Sequence, residues 1–108
     1  MYTKYLEEYA GQKYVETNDG AFVYQVIPQY ENIHMEWIYV PPEKRKTRAF
    51  YNLMQEVERL GRENQCKTLS TYICMEYHGK EWSLLTGLKY GLKLLNSTPE
   101  KITLWKEL

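Results

Sequence analysis

One continuous stretch of this chain reads as a strand, a turn and a helix in immediate succession. From Ile33 to Val40, β-branched and aromatic residues predominate in an alternating pattern that predicts a β-strand. Pro41-Pro42 ends that strand, because proline has no N–H to donate to a neighbouring strand. From Ala49 to Asn64, apolar residues recur every three or four positions, which predicts an amphipathic helix. A second strand-like run follows at Thr68–Met75, so the stretch predicts a crossover unit with two parallel strands.

The segments on either side of the crossover unit predict a sheet of mixed direction. Asn18-Asp19-Gly20 is typical of the tight turn of a β-hairpin. We therefore expect an α+β fold, with a mixed, mostly antiparallel sheet and one parallel β-α-β crossover. The further predicted elements are a helix over Thr3–Ala10, strands over Lys13–Thr17 and Ala21–Ile27, a helix over Glu81–Tyr90, and strands over Leu92–Asn96 and Lys101–Trp105.

The overall composition limits the kind of protein that this chain encodes. Its 108 residues favour a single domain, residues 1–108, which is long enough for one hydrophobic core. Basic and acidic residues both number 14, and a formal net charge of zero disfavours a general nucleic-acid binder. The N-terminal residues contain no apolar signal core, and no stretch approaches the length of a membrane span. We therefore expect a cytoplasmic protein without a membrane partner.

The two cysteines, Cys66 and Cys74, match neither a metal site nor a local disulfide. Their spacing fits no zinc template. If both lay on one strand, they would be about 26 Å apart. The two histidines are too few for a typical catalytic zinc site. We expect reduced thiols in the core and no metal site.

The strand at Ile33–Val40 carries two acid–base candidates, His34 and Glu36. Residues two apart on a strand share a face, so both side chains can flank one substrate. Either residue type is suited to general base catalysis. An exposed or mutually satisfied polar pair is an equally good interpretation. The opposite face is an unbroken apolar stripe that we expect to pack on helices: Ile33, Met35, Trp37 and Tyr39.

Four cations stand where the first long helix begins: Lys44, Arg45, Lys46 and Arg48. A helix N-terminus carries a partial positive charge, so a cation there costs about 0.3–1 kcal/mol. The pattern makes sense if a phosphate-like anion binds to the free N–H groups and the basic side chains. The alternatives are a solvated charge run offset by nearby glutamates and, against the neutral total charge, a nucleic-acid contact.

Three motifs in sequence order resemble the GCN5-related N-acetyltransferase (GNAT) superfamily, over roughly Ile33 to Leu108. Val40–Arg45 resembles the Val-x-Pro-Glu-x-Arg strand end that precedes the family's pyrophosphate-binding turn. The helix containing Leu53 and Val57 resembles the helix that follows that turn. Tyr90–Leu95 resembles the family's Tyr-Gly-Phe-Lys run before its last hairpin.

The resemblance implies an acetyltransferase with the acyl-CoA N-acyltransferase fold and acetyl-CoA as cosubstrate. The acceptor would be a primary amine of a small molecule or a protein. Glu36 or His34 would deprotonate that amine, directly or through water. The implied cofactor-binding residues are Ile38, Tyr39 and Val40 for pantetheine, through their backbone, and Arg45, Lys46, Thr47, Arg48 and Ala49 around the pyrophosphate.

The sequence also departs from the family pattern. Counting from Arg45, Arg48 and Phe50 occupy the positions of the two glycines that usually let the pyrophosphate approach the backbone. Gly87 stands where many members carry a catalytic Tyr. These departures favour an alternative, a non-catalytic protein of the same fold that binds a partner protein or, less readily, nucleic acid. The acceptor is unspecified, and a homodimer is left open.

Overall fold

The computed structural model describes residues 11–74 and 80–108, which form one mixed sheet and two α-helices. The helix predicted over Thr3–Ala10 lies outside the described residues. The strands and helices are β1 (Lys13–Thr17), β2 (Gly20–Ile27), β3 (Asn32–Tyr39), α1 (Ala49–Glu63), β4 (Thr68–Cys74), α2 (Lys80–Tyr90), β5 (Lys93–Ser97) and β6 (Lys101–Glu107).

The six described strands lie in the order β1-β2-β3-β4-β6-β5. Only β3 and β4 are parallel, and the other neighbours are antiparallel. The expected α+β sheet with one parallel crossover is therefore confirmed, and α1 is the crossover helix. The strand predicted over Ala21–Ile27 lies inside the sheet, since β2 pairs with β1 on one side and β3 on the other.

Both helices pack against the same face of the sheet. A Cβ added at Gly61 of α1 would meet Ile33 of β3, and one added at Gly87 of α2 would meet Leu104 of β6. The register puts those two contacts on one face, because Leu104 lies opposite Thr71 and Thr71 lies opposite Met35. The core forms between this face and the helices, and its fully buried members include Phe22, Ile33, Leu53, Met54, Val57 and Leu69.

The apolar stripe predicted along the third strand is correct for half its length and wrong for the rest. Ile33 and Met35 are buried, whereas Trp37 is 39% and Tyr39 is 47% exposed. The cause is a β-bulge: Val23 lies opposite Trp37 but Tyr24 lies opposite Met35, so Glu36 has no partner on β2. One extra residue reverses the alternation beyond it.

The prediction of two core thiols is also half right. Cys66 is buried and Cys74, at the end of β4, is exposed, and both are free thiols. Burial raises the pKa of the Cys66 thiol above its ordinary value. The reactive form of a thiol is the thiolate, so Cys66 is an inert packing residue.

Candidate active site

The two parallel strands pair for four residues and then part. Asn32–Met35 lies in register with Thr68–Thr71, and beyond these positions β3 and β4 share no pairing. Each strand stays paired on its other side, β3 with β2 as far as Tyr39 and β4 with β6 as far as Cys74. The bulge at Glu36 falls where the strands separate. The sheet therefore has a wedge-shaped opening in its middle.

A cavity of about 660 Å³ occupies this opening. Residues from both faces of the sheet line it, so it reaches from the helices through the sheet to the opposite face. Most of its wall is apolar, which suits a ligand that is largely hydrocarbon. Its lining residues are Met35, Glu36, Trp37, Ile38, Tyr39, Phe50, Thr71, Tyr72, Ile73, Cys74, Ser83, Gly87, Leu92 and Leu104.

Of the two acid–base candidates, Glu36 lines the cavity and His34 does not, but the two side chains are neighbours. The distance between His34 Nε2 and Glu36 Oε2 is 4.0 Å. Tyr72 of β4 joins them: its hydroxyl donates to Glu36 Oε2 at 3.1 Å, and its ring stacks on the His34 ring with centroids 5.2 Å apart. The structure brings together both predicted residues and adds Tyr72 as a third.

The surroundings of this cluster favour neutral His34 and neutral Tyr72. Burial lowers the pKa of His34 below 6.5, Glu36 opposes that effect, and the Lys101 ammonium adds to it. Burial and the nearby Glu36 carboxylate raise the pKa of Tyr72 above 10. At neutral pH the imidazole therefore has a free lone pair, and the phenol keeps its proton.

The basic turn is held in place by its own side chains. Arg45 donates from Nε to the Val40 carbonyl at 3.0 Å, and its guanidinium lies 5.5 Å from the centre of the Trp82 ring. Thr47 Oγ1 accepts from Ala49 N at 3.1 Å and donates to the Lys44 carbonyl at 2.6 Å, which fixes the turn just before α1 begins. Among the contacts of the described residues, Arg45 is the one cation of the four that is tied to both the strand end and α2.

The remaining cations of the turn have separate roles. Lys44 donates to the carbonyl of Asn18 in the hairpin turn. Arg48 is exposed and stacks on Tyr51 with its guanidinium carbon 4.3 Å from the ring centre. Lys46 is exposed. The sequence-predicted anion residues therefore do not converge on one point.

A smaller cleft of about 180 Å³ lies between the start of α1 and the last turn of α2. Arg45 and Lys89 are its two cations, and Thr47 and Thr86 contribute hydroxyl groups. The first-turn N–H groups of a helix lack carbonyl partners within that helix. The charge and the hydrogen-bond donors at this cleft both suit a phosphate group. Phe50 lines this cleft as well as the large cavity, so the two adjoin.

The residues predicted to contact pantetheine also lie in different places. Ile38 and Tyr39 line the large cavity, while Val40 is buried and accepts from Arg45. Gly87 stands where the sequence lacks the Tyr of the family pattern, and it also lines the cavity. A Cβ at this position would lie 3.1 Å from Leu104 Cδ1. A large side chain at position 87 would therefore require the core to move.

The polar residues near these sites that sequence reasoning did not find include Asn32, Ser70 and Lys89. Asn32 and Ser70 hydrogen-bond to each other beside His34, and Lys89 lines the small cleft. The available signal was positional. Asn32 and His34 are two apart on β3, as are Thr68 and Ser70 on β4, so aligned parallel strands place the four side chains on one face.

No group of three metal-ligating side chains occurs within residues 11–74 and 80–108. Over the same part of the chain, no helix is long and apolar enough to cross a membrane.

Comparison with known proteins gives matches in structure but not in sequence. No family model matches the chain, and no curated protein matches it. An aminoglycoside 6'-N-acetyltransferase complexed with coenzyme A matches with a TM-score of 0.80 and 13% identity, over 96% of this chain and 76% of that one. The PaiA N-acetyltransferase from Thermoplasma acidophilum, in complex with coenzyme A, matches with a TM-score of 0.78 and 13% identity, over 97% and 66%.

An acetyltransferase from Bacillus subtilis in complex with CoA matches with a TM-score of 0.72 and 10% identity, over 97% of this chain and 82% of that one. Likeness at this identity defines the fold. The chain has the fold of the GCN5-related N-acetyltransferases, as its strand-turn-helix motifs predicted. Several of the solved structures to which it is similar are complexes with coenzyme A.

Proposed function

We propose that this chain is an N-acetyltransferase that uses acetyl-CoA to acetylate a primary amine of a small molecule or a protein. One observation carries the proposal: the cavity between the parted strands is apolar along most of its length and has a carboxylate, Glu36, in its wall. A thioester held in that cavity would lie beside a group able to take a proton from an amine.

The residues around the cavity fit the parts of acetyl-CoA. The pantetheine arm is an extended chain with two amides. Beyond Met35, the edge of β3 that faces β4 is not paired with it, so the backbone N–H and C=O groups that point towards that edge are free of β4. An extended ligand can pair with such an edge as an added strand. The diphosphate would then lie near Arg45 and Lys89 in the adjoining small cleft.

Side chains would replace the missing glycines in this arrangement. Phe50 stands at one glycine position, where it is buried and packs edge-on against Trp82. Arg48 stands at the other and is exposed on Tyr51. Because these side chains cover the backbone, the cations Arg45 and Lys89 would bind the diphosphate in place of backbone N–H groups.

The chemistry assigned to the chain is proton transfer and orientation. Acetyl-CoA supplies the thioester whose C–S bond breaks as the N–C bond of the product forms, and the departing thiolate takes the second proton of the attacking amine to give free thiol. Glu36 accepts a proton from the acceptor ammonium, which leaves a neutral amine with a nucleophilic lone pair. Tyr72 holds Glu36 Oε2 in place at 3.1 Å. Removing a positioned general base of this kind typically lowers the rate by about 10²–10⁴-fold.

A second candidate function is partner binding without catalysis. The observation that favours it is the exposure of Trp37 and Tyr39, beside the cavity, since aromatic residues are enriched in protein interfaces. In that case the cavity would not bind acetyl-CoA, and no thiol would be released from it.

Thermal unfolding with and without acetyl-CoA distinguishes the two functions. A ligand that binds only the folded state at 100 times its Kd adds about 2.7 kcal/mol, which for a chain of this size raises Tm on the order of 10 °C. Ser83→Phe fills the cavity and is expected to abolish the shift. Ser97→Phe, on the exposed strand β5, is the matched control and is expected to retain it.

Release of free thiol from acetyl-CoA, measured with a panel of primary amines, then tests turnover. Glu36→Gln is expected to keep the thermal shift while kcat falls about 10²–10⁴-fold. The unliganded Tm of each variant, measured in the same run, shows whether it is folded. Absence of a shift for the natural sequence at millimolar acetyl-CoA overturns the proposal.

A further inference from the structure

A chain of hydrogen bonds runs across the paired part of β3 and β4 and ends at His34. Asn32 Nδ2 lies 3.3 Å from the Thr68 carbonyl and 2.9 Å from Thr68 Oγ1. Ser70 Oγ lies 3.2 Å from Asn32 Oδ1 and 2.8 Å from His34 Nδ1. The register explains these contacts, because Asn32 is opposite Thr68 and His34 is opposite Ser70.

The Thr68 carbonyl at one end of this series of hydrogen bonds determines which group donates in each bond. A backbone carbonyl only accepts, so the Asn32 NH₂ faces Thr68 and its Oδ1 faces Ser70. Ser70 must then donate its single proton to Asn32 Oδ1. Its oxygen is left to accept, so the proton between Ser70 and His34 belongs to His34 Nδ1. The opposite arrangement would leave two oxygens 3.2 Å apart without a proton between them.

The other nitrogen of the ring is consequently the basic one. His34 Nε2 carries the lone pair, and it is this atom that lies 4.0 Å from Glu36 Oε2. Among the described residues, the ionisable groups around the ring are Glu36 on β3, Tyr72 stacked on it from β4, and Lys101 from β6. On β2 the residue opposite His34 is Gln25, which is uncharged.

We propose that Asn32 and Ser70 are positioning residues that hold His34 in its Nδ1–H tautomer, so that Nε2 receives the proton Glu36 takes from the acceptor amine. The catalytic assignment rests on the proposed acetyltransferase function. The acceptor ammonium loses one proton to the Glu36 carboxylate. The resulting carboxylic acid passes it through one water to Nε2, across the 4.0 Å gap, and the imidazolium returns it to solvent. Glu36 is thus ionised again for the next turnover, the enzyme ends with the protons it began with, and the reaction releases the ammonium's proton to solvent.

The tautomer is directly measurable by ¹⁵N NMR of the histidine rings, without any substrate. The chain has two histidines, so His34→Gln identifies the His34 signals. Above the pH at which His34 titrates, we expect Nδ1 to resonate as a protonated nitrogen and Nε2 as an unprotonated one. Ser70→Ala should shift both signals towards those of an unrestrained ring, Ser70→Thr should restore them, and Ser97→Ala should leave them unchanged. An Nε2–H tautomer in the natural sequence overturns the proposal.

Turnover measurements separate this inference from the proposed function. Ser70→Ala should lower kcat/KM about 10–100-fold, as loss of a partner that orients a functional imidazole does elsewhere, with acetyl-CoA binding unchanged. It should also move the acidic limb of the pH profile, which a purely structural loss would leave in place. Full activity of a Ser70→Ala protein whose tautomer has changed overturns the positioning role. If the natural sequence shows the tautomer but no turnover, the proposed function falls and the tautomer stands.

Discussion

At the scale of single residues, the candidate site depends on neighbours that are distant in sequence. His34 and Glu36 were predictable as a pair because alternation on one strand relates them. Their partners Ser70 and Tyr72 lie 36 residues further along. Those contacts depend on the register of two parallel strands, and the sequence of either strand by itself does not determine that register. The sequence therefore indicated the two acid–base candidates but not the residues that contact them.

The lowered pKa of His34 makes the stability of the protein depend on pH in a predictable direction. Because the folded protein binds a proton at His34 less readily than the unfolded chain, the unfolded state takes up more protons as the pH falls below 6.5. The free energy of unfolding should therefore decrease from pH 7 to pH 5. Below the folded pKa the effect is complete and levels off.

Urea unfolding at several pH values tests this prediction. His34→Gln removes the group, so the difference in unfolding free energy between the two proteins should vary with pH over the same window and be flat above pH 7. His78 is present in both proteins, which removes its contribution from the difference. A difference independent of pH between 5 and 7 would contradict the assigned shift.

At the scale of elements, alternation and turn residues predicted every strand and α-helix of the described residues within two residues at each end. The main error concerned the end of β3, where a bulge at Glu36 turns Trp37 and Tyr39 away from the core. A bulge adds one residue to one strand, and a strand whose alternating sequence shows an unbroken apolar stripe does not reveal it. That same bulge lies where the cavity opens, so the least predictable part of the strand is the part that shapes the site.

The hairpin between β1 and β2 offers a test of how closely the backbone packs beside the end of β3. Gly20 has φ +147°, and a Cβ there would lie 2.1 Å from the Tyr39 carbonyl oxygen. Gly91 also has a positive φ, +121°, but a Cβ there would meet nothing within 4 Å. Gly91→Ala should therefore cost only the conformational strain, about 1–2 kcal/mol.

Gly20→Ala adds a clash with backbone to that strain and should cost about 3–5 kcal/mol, near the upper end for single substitutions. Chemical denaturation of the two variants measures the difference. Equal losses at both positions would mean that conformational strain alone matters and that β2 can move away from Tyr39. Tyr39 lines the cavity, so such a movement would also alter the candidate site.

At the scale of the whole molecule, the fold was more predictable than the site. The order of strands and helices and three short motifs were enough for the fold, because element order and crossover handedness leave few arrangements. The site depends on how two strands part and on which cations approach the start of α1. Arg45 lies just before α1 and Lys89 in the last turn of α2, and only the packing of α2 beside α1 brings them to one cleft.

A buried carboxylate joins the elements that flank that cleft. Glu58 of α1 is 2% exposed and accepts hydrogen bonds from Tyr90 of α2, Lys106 of β6 and Arg62. Burial alone would raise the pKa of Glu58, but the hydrogen bonds from Tyr90 and Lys106 bring it below 4.5. Burial and Glu58 in turn raise the pKa of Tyr90. The packing of α2 and β6 on α1 therefore depends on a negative charge.

Replacing that charge should weaken the whole molecule in a pH-dependent way. Glu58→Gln keeps the shape but loses charged hydrogen bonds, so it should cost about 1.5–3 kcal/mol at pH 7. Because the pKa of Glu58 is lower in the folded state, its stabilisation is present above pH 4.5 and lost as the pH falls through the folded pKa. The difference between Glu58→Gln and the natural sequence should therefore shrink towards pH 3.

Glu56→Gln is the matched control, since Glu56 is on the same helix and pairs with Arg59 at the surface. Surface ion pairs contribute about 0–1 kcal/mol, so this variant should lose much less stability at pH 7. Denaturant unfolding of all three proteins at pH 3, 5 and 7 measures both effects. A loss for Glu58→Gln that matches Glu56→Gln at pH 7 would show that α2 and β6 hold to α1 through apolar packing, without the charge.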